Sequence, residues 1–100
     1  MALKNYGFIV LAPDYNAQEQ HAVLENDFFR TEVVGVNSVE EAVDASRKLI
    51  SSGVQLIELC GGFGEEKANE VIASLEAETP VGFVGFSVKE NEKLKRLMAG

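Results

Sequence analysis

One hundred residues, 46% hydrophobic and 25% charged, suit one globular domain able to bury about two thirds of its unfolded surface, and exclude two. Sixteen acidic against nine basic side chains leave a net charge of −7, which disfavours nucleic acid and anionic membrane surfaces as partners. The lone Cys60 cannot close an internal disulfide and fits a reducing, cytoplasmic setting, while the apolar run from Tyr6 to Pro13 is too short for a bilayer and precedes no cleavage site.

Tyr6-Gly7-Phe8-Ile9-Val10-Leu11-Ala12 is almost continuously apolar, as expected of a central strand covered on both faces, and Pro13 ends it. From Asn16 to about Asn26 the chain is polar, with Ala17, His21, Leu24 and Phe28 at spacings of four, three and four, which predicts a helix with a narrow stripe. Arg30 to Val36 reads as a second strand, and the charges of Arg30 and Glu32 at its entry favour an edge position. Ser38-Val39-Glu40-Glu41 has the spacing of a capping box and opens a helix whose buried stripe is Val39, Ala42, Val43, Ser46, Leu49 and Ile50. Gly53 follows where a left-handed cap belongs.

The third strand, Val54 to Cys60, runs into Gly61-Gly62-Phe63-Gly64, and a helix follows from about Glu65 to Glu78 with Ala68, Val71, Ile72 and Leu75 on one face. Thr79-Pro80 stops that helix. Val81 to Phe86 is an uncharged fourth strand, and Ser87-Val88-Lys89-Glu90 repeats the capping-box spacing ahead of a short terminal helix. Strands alternating with helices predict one α/β domain over residues 1–100, with a four-stranded, mainly parallel sheet in a flavodoxin-like or Rossmann-like three-layer sandwich. Right-handed crossovers favour the strand order 2-1-3-4, with the second and fourth strands at the edges.

In such sheets ligands bind beyond the carboxyl ends of the strands. The strand exits nominate Pro13, Asp14, Asn37, Gly61, Gly62, Phe63 and Gly64 as ligand-binding residues. The three glycines permit successive amides to converge on a ligand oxygen, or simply a tight turn. No lysine or hydroxyl residue closes the run, and Glu65 and Glu66 place negative charge at the helix start, which argues against a phosphate loop and favours a neutral or carbonyl-bearing ligand or a cation. Glu58, a carboxylate near the end of a central strand, needs a partner or an altered pKa and is a candidate acid or base. Cys60, before a helix start, is a candidate nucleophile or a small buried hydrophobe. His21, the one histidine, is a candidate base or a packed ring on a helix stripe. Without paired histidines or cysteines no metal site is expected, and no cofactor is indicated. The uncharged edge from Val81 to Phe86 needs cover, which predicts a homo-oligomer joined along it.

Through Glu58-Leu59-Cys60-Gly61-Gly62-Phe63-Gly64, with Gly7 to Pro13 and Val33 to Val36, the chain resembles a small prokaryotic family of about this length, a domain of unknown function. The resemblance spans nearly the whole chain, implies a single α/β domain, and brings no activity, substrate or cofactor. Three functions follow from the residues. The chain is a small-molecule-binding or regulatory protein with its pocket around Cys60 to Gly64, or a small enzyme using Glu58, His21 or Cys60, or a protein whose conspicuous residues serve assembly alone.

Overall fold

The described residues form five strands and three α-helices in the order β1 (Asn5–Leu11), β2 (His21–Glu25), β3 (Arg30–Val36), α1 (Val39–Ser51), β4 (Leu56–Leu59), α2 (Gly64–Leu75), β5 (Val81–Phe83) and α3 (Val88–Ala99). This computed structural model describes residues 2–100. The sheet order is β2-β3-β1-β4-β5, and every pairing is parallel except that of β2 with β3.

The expected helix over Asn16 to Asn26 does not form. Its residues instead make a loop and the short strand β2, joined to β3 by a tight hairpin. The Asn26 side chain accepts from the amides of Phe28 and Phe29, and the Asn26 amide donates to the Phe29 carbonyl, so the turn is closed locally by an Asx arrangement. The sheet therefore differs from expectation in strand count and order: β2 takes the edge, and β3 becomes an interior strand. The charges that suggested an edge are neutralised within the sheet, since Arg30 Nη1 donates to Glu32 Oε1 at 2.7 Å.

The helix starts follow the capping chemistry. Ser38 Oγ accepts from the Glu41 amide at 3.1 Å, and Ser87 Oγ from the Glu90 amide at 3.4 Å. Glu41 turns its carboxylate outward to the amides of Asn37 and Ala17, tying the loop after β1 to the end of β3. Gly53 takes the left-handed conformation, φ 104°, as a glycine after α1 should.

Register assigns the two faces. Gly7 and Ile9 align with Glu32 and Val34 on β3 and with Ile57 and Leu59 on β4, and these side chains share one face. Onto that face pack Ala42, Val43, Ala45 and Leu49 of α1 and Ala68, Val71 and Leu75 of α2, forming the core with Ile9, Val34, Val36, Ile57 and Leu59. Gly7 eases this approach: a Cβ there would lie 3.1 Å from Leu49 Cδ1 and 3.2 Å from Val54 Cγ1, so those side chains would have to give way. The opposite face carries Tyr6, Phe8, Val10, Val33, Leu56 and Glu58, all half-buried, and no helix packs on it. The expected three-layer sandwich is thus a two-layer sheet, because the first helix is absent and α3 buries no residue.

Candidate functional site

With only α1 and α2 on the helix face, the sheet extends past α1 at β2, and the step between hairpin and helix is a cavity of about 670 Å³. Its sheet wall carries His21 of β2 and Arg30, Glu32 and Val34 of β3, and Asn5 of β1 closes one end. α1 contributes Lys48, and Ser52 follows it. Antiparallel pairing sets Val23 opposite Glu32 and His21 opposite Val34, so His21 and Glu32 project from the same face one position apart.

Glu32 organises the wall. Its Oε2 lies 2.6 Å from His21 Nε2 and its Oε1 accepts from Arg30 at 2.7 Å, while Arg30 Nε lies 3.7 Å from Glu25. Burial alone would raise the Glu32 pKa, but the hydrogen bonds from His21 and Arg30, with their charges, together outweigh it and hold the carboxyl below its usual value. The Glu32 hydrogen bond in turn raises the pKa of Arg30. Lys48 has no ion-pair partner among the described residues, and the buried Asn5 Oδ1 has no hydrogen-bond partner among them. The cavity therefore offers a cation with no ion-pair partner among the described residues and a fixed carboxylate–imidazole pair.

A second cavity of about 730 Å³ lies at the carboxyl ends of β4 and β5, between Gly61, Gly62 and Gly64 and the segment from Phe83 to Phe86, with Leu94 and Met98 of α3 beside it. The glycine run is not an open nest. Gly61 to Phe63 form one 3₁₀ turn, in which the amides of Phe63 and Gly64 donate to the carbonyls of Cys60 and Gly61. Phe63 is buried in the core beneath the turn, and Gly64 alone of the three glycines has a positive φ, 69°. Gly62 is closely fitted, since a Cβ there would sit 3.2 Å from the Leu11 carbonyl and 3.3 Å from Cys60 Sγ.

The remaining candidates disperse. Glu58 is on the helix-free face, accepting from Tyr6 Oη at 2.5 Å; burial, that hydrogen bond and the Glu58 charge push the Tyr6 pKa up to about 12. Cys60 Sγ accepts from the Leu11 amide at 3.2 Å. His21 lies three strand spacings from β4, about 14 Å away, and projects from the face opposite Glu58. Pro13, Asp14 and Asn37 are exposed at the loops after β1 and β3, outside both cavities; Asp14 is left-handed, φ 62°, and Asn37 gives its amide to Glu41. Among the described residues no group of three or more His, Cys, Asp or Glu side chains is placed to hold a metal ion. No described helix is long and apolar enough to cross a membrane.

Sequence reasoning missed Arg30, Glu32, Lys48 and Asn5, because their convergence requires the hairpin; the Arg30 and Glu32 pair inside a β-favouring run was the available signal. A family model described as "Family of unknown function (DUF6506)" matches residues 4–99. No curated protein and no solved structure matches the chain.

Proposed function

The chain belongs to that family of unknown function, and we propose that it is a cytosolic small-molecule-binding protein whose polar ligand sits between the β2–β3 hairpin and α1. The observation that carries this reading is the Glu32 carboxylate pinned between His21 and Arg30 in the wall of a cavity of ligand size. A group desolvated and oriented in this way presents fixed charge without reorganisation when a ligand arrives. The lining selects the ligand class. Lys48 and the outer edge of Arg30 suit a carboxylate, and the Glu32 carboxylate, still 15% exposed, can accept from an N–H or O–H donor, so a small amino- or hydroxy-carboxylate suits both.

A native mass spectrum of the freshly purified, untagged protein tests this. A reproducible low-mass adduct that is lost in Lys48→Met and kept in Phe86→Ser supports the hairpin cavity; an adduct lost only in Phe86→Ser refutes it. If the bound molecule reacts, His21, oriented by Glu32, is the acid–base group of this cavity. His21→Gln then abolishes turnover while affinity stays within about tenfold, a change of about 1.4 kcal/mol.

A second reading keeps the ligand at the glycine loop. Its supporting observation is the 730 Å³ cavity there, whose walls of Phe83, Phe86, Leu94 and Met98 fit an apolar molecule. Binding of a fluorescent hydrophobic probe that is weakened by Phe86→Ser and unaffected by Lys48→Met distinguishes it.

A further inference from the structure

Parallel sheets occur almost only with both faces covered, because water on one side of a largely apolar surface is costly. Here three of the parallel strands leave Tyr6, Phe8, Val10, Val33 and Leu56 half-buried on a face that no helix covers, with the loop side chains of Tyr15 and Gln20 above Gly35. The Tyr6 ring makes aromatic contacts with Phe8 and Phe29, at centroid distances of 6.5 and 6.3 Å, so the patch continues onto the β2–β3 hairpin. At the other end of the chain α3 is equally uncovered: it buries no residue, and Leu97 and Met98 are 73% and 78% exposed.

The surface area shows how much is left open. The chain exposes 6818 Å². A globular monomer of this 10.9 kDa mass exposes about 5,600 Å². The excess of about 1,200 Å² per copy exceeds the roughly 800 Å² that each partner buries in a stable interface. The radius of gyration, 14.1 Å, is likewise larger than the roughly 13 Å of a compact domain of this length.

Charge identifies the occupant. Residues 88–99 hold four basic and two acidic side chains, whereas residues 1–87 hold five basic and fourteen acidic ones. Lys89, Lys93 and Arg96, spaced four and three apart, form one stripe of α3 with Leu97 at its flank. The open sheet face is apolar with the single carboxylate Glu58, so two such faces laid together would oppose like charges, while a basic, partly apolar helix complements one. We infer that the chain is a two-fold homodimer in which α3 of each copy lies across the Tyr6–Phe8–Val10 face of the other. This places assembly on the sheet face rather than on the Val81–Phe86 edge, and it is independent of the cavity beside the hairpin.

The test is sedimentation equilibrium of the full-length protein, wild type against Leu97→Glu, Val10→Glu and Val81→Lys. Because Leu97 is exposed within its own chain, Leu97→Glu leaves the fold intact, which a circular dichroism melt verifies. The expected result is a wild-type dimer, weakened at least about a hundredfold in Leu97→Glu and in Val10→Glu, and unchanged in Val81→Lys. Zero-length cross-linking of an equal mixture of ¹⁴N- and ¹⁵N-labelled protein then yields mixed-mass links between an α3 lysine and Glu58. A wild-type monomer, dissociation by Val81→Lys alone, or α3–Glu58 links confined to one copy each overturn the assignment.

Discussion

Replacing Glu32 by glutamine keeps the shape of the side chain and removes its charge, so it isolates the interaction that organises the hairpin cavity. Glu32 makes two contacts, to His21 at 2.6 Å and to Arg30 at 2.7 Å, and its own side chain is only 15% exposed. A hydrogen bond to a charged group contributes about 1.5–3 kcal/mol and a neutral one about 0.5–1.5, so neutralising both contacts loses about 2–3 kcal/mol. The His21 and Arg30 side chains are 40% and 32% exposed, and solvent screening reduces the loss to about 1–1.5 kcal/mol. For a domain of this size that lowers Tm by about 5–10 °C at neutral pH.

The pH dependence carries a sign. The folded-state pKa of Glu32 lies below its usual value of 4.5, so the folded state holds the proton less tightly than the unfolded one. Its contribution is therefore complete above that usual value and is lost as pH falls through the folded one. Urea unfolding of wild type and Glu32→Gln from pH 7 downward is expected to show the two curves converging below pH 4.5. A difference under about 0.5 kcal/mol at pH 7, or one that persists unchanged in acid, would refute the ion-pair account.

Other consequences can be measured singly. Spectrophotometric titration at alkaline pH, taken as wild type minus Tyr6→Phe, is expected to place the Tyr6 phenolate near 12 and to move it down in Glu58→Gln; the same raised value means that stability falls as pH climbs from about 10 towards 12. Ile57→Ala, at a fully buried site between sheet and helices, is expected to cost about 2–5 kcal/mol in urea unfolding. Ser46→Ala is expected to be neutral or stabilising by up to about 1 kcal/mol, since the buried Ser46 hydroxyl has no partner among the described residues. Gly35→Ala is expected to cost about 1–3 kcal/mol, because its Cβ would lie 2.7 Å from the Gln20 Cβ, on a loop whose Gln20 carbonyl accepts from the Gly35 amide.

Where local chemistry decides structure, the chain is legible without coordinates. Ser38, with Glu41 three residues on, specifies the start of α1, and its apolar stripe of Ala42, Val43 and Leu49 is the one that meets the core. The apolar runs of β1 and β4 likewise lie in the parallel sheet, as does the first half of the expected Val81–Phe86 strand, which ends at Phe83. The segment from Asn16 to Asn26 misleads because Ala17, His21 and Leu24 happen to be spaced like a helix stripe, yet eleven residues are marginal for a helix and the second half pairs with β3 instead. That one misreading hides the site. With β2 as a helix, His21 is a stripe residue and Arg30 an edge charge; with β2 as a strand, both face Glu32. The glycine run drew attention for its composition, but its role in the chain is steric: Gly62 fits beneath the Leu11 carbonyl and Gly64 supplies a positive φ before α2.

The claim that the cavity between hairpin and α1 is a binding site is tested most directly by a ¹H–¹⁵N correlation titration of the full-length protein with small α-amino and α-hydroxy carboxylates. The account predicts saturable shifts that cluster at Asn5, His21, Arg30, Glu32 and Lys48 and vanish in Lys48→Met. Shifts confined to Gly61–Gly64 and Phe83–Phe86, or no saturable shift with any member of the series, would contradict it.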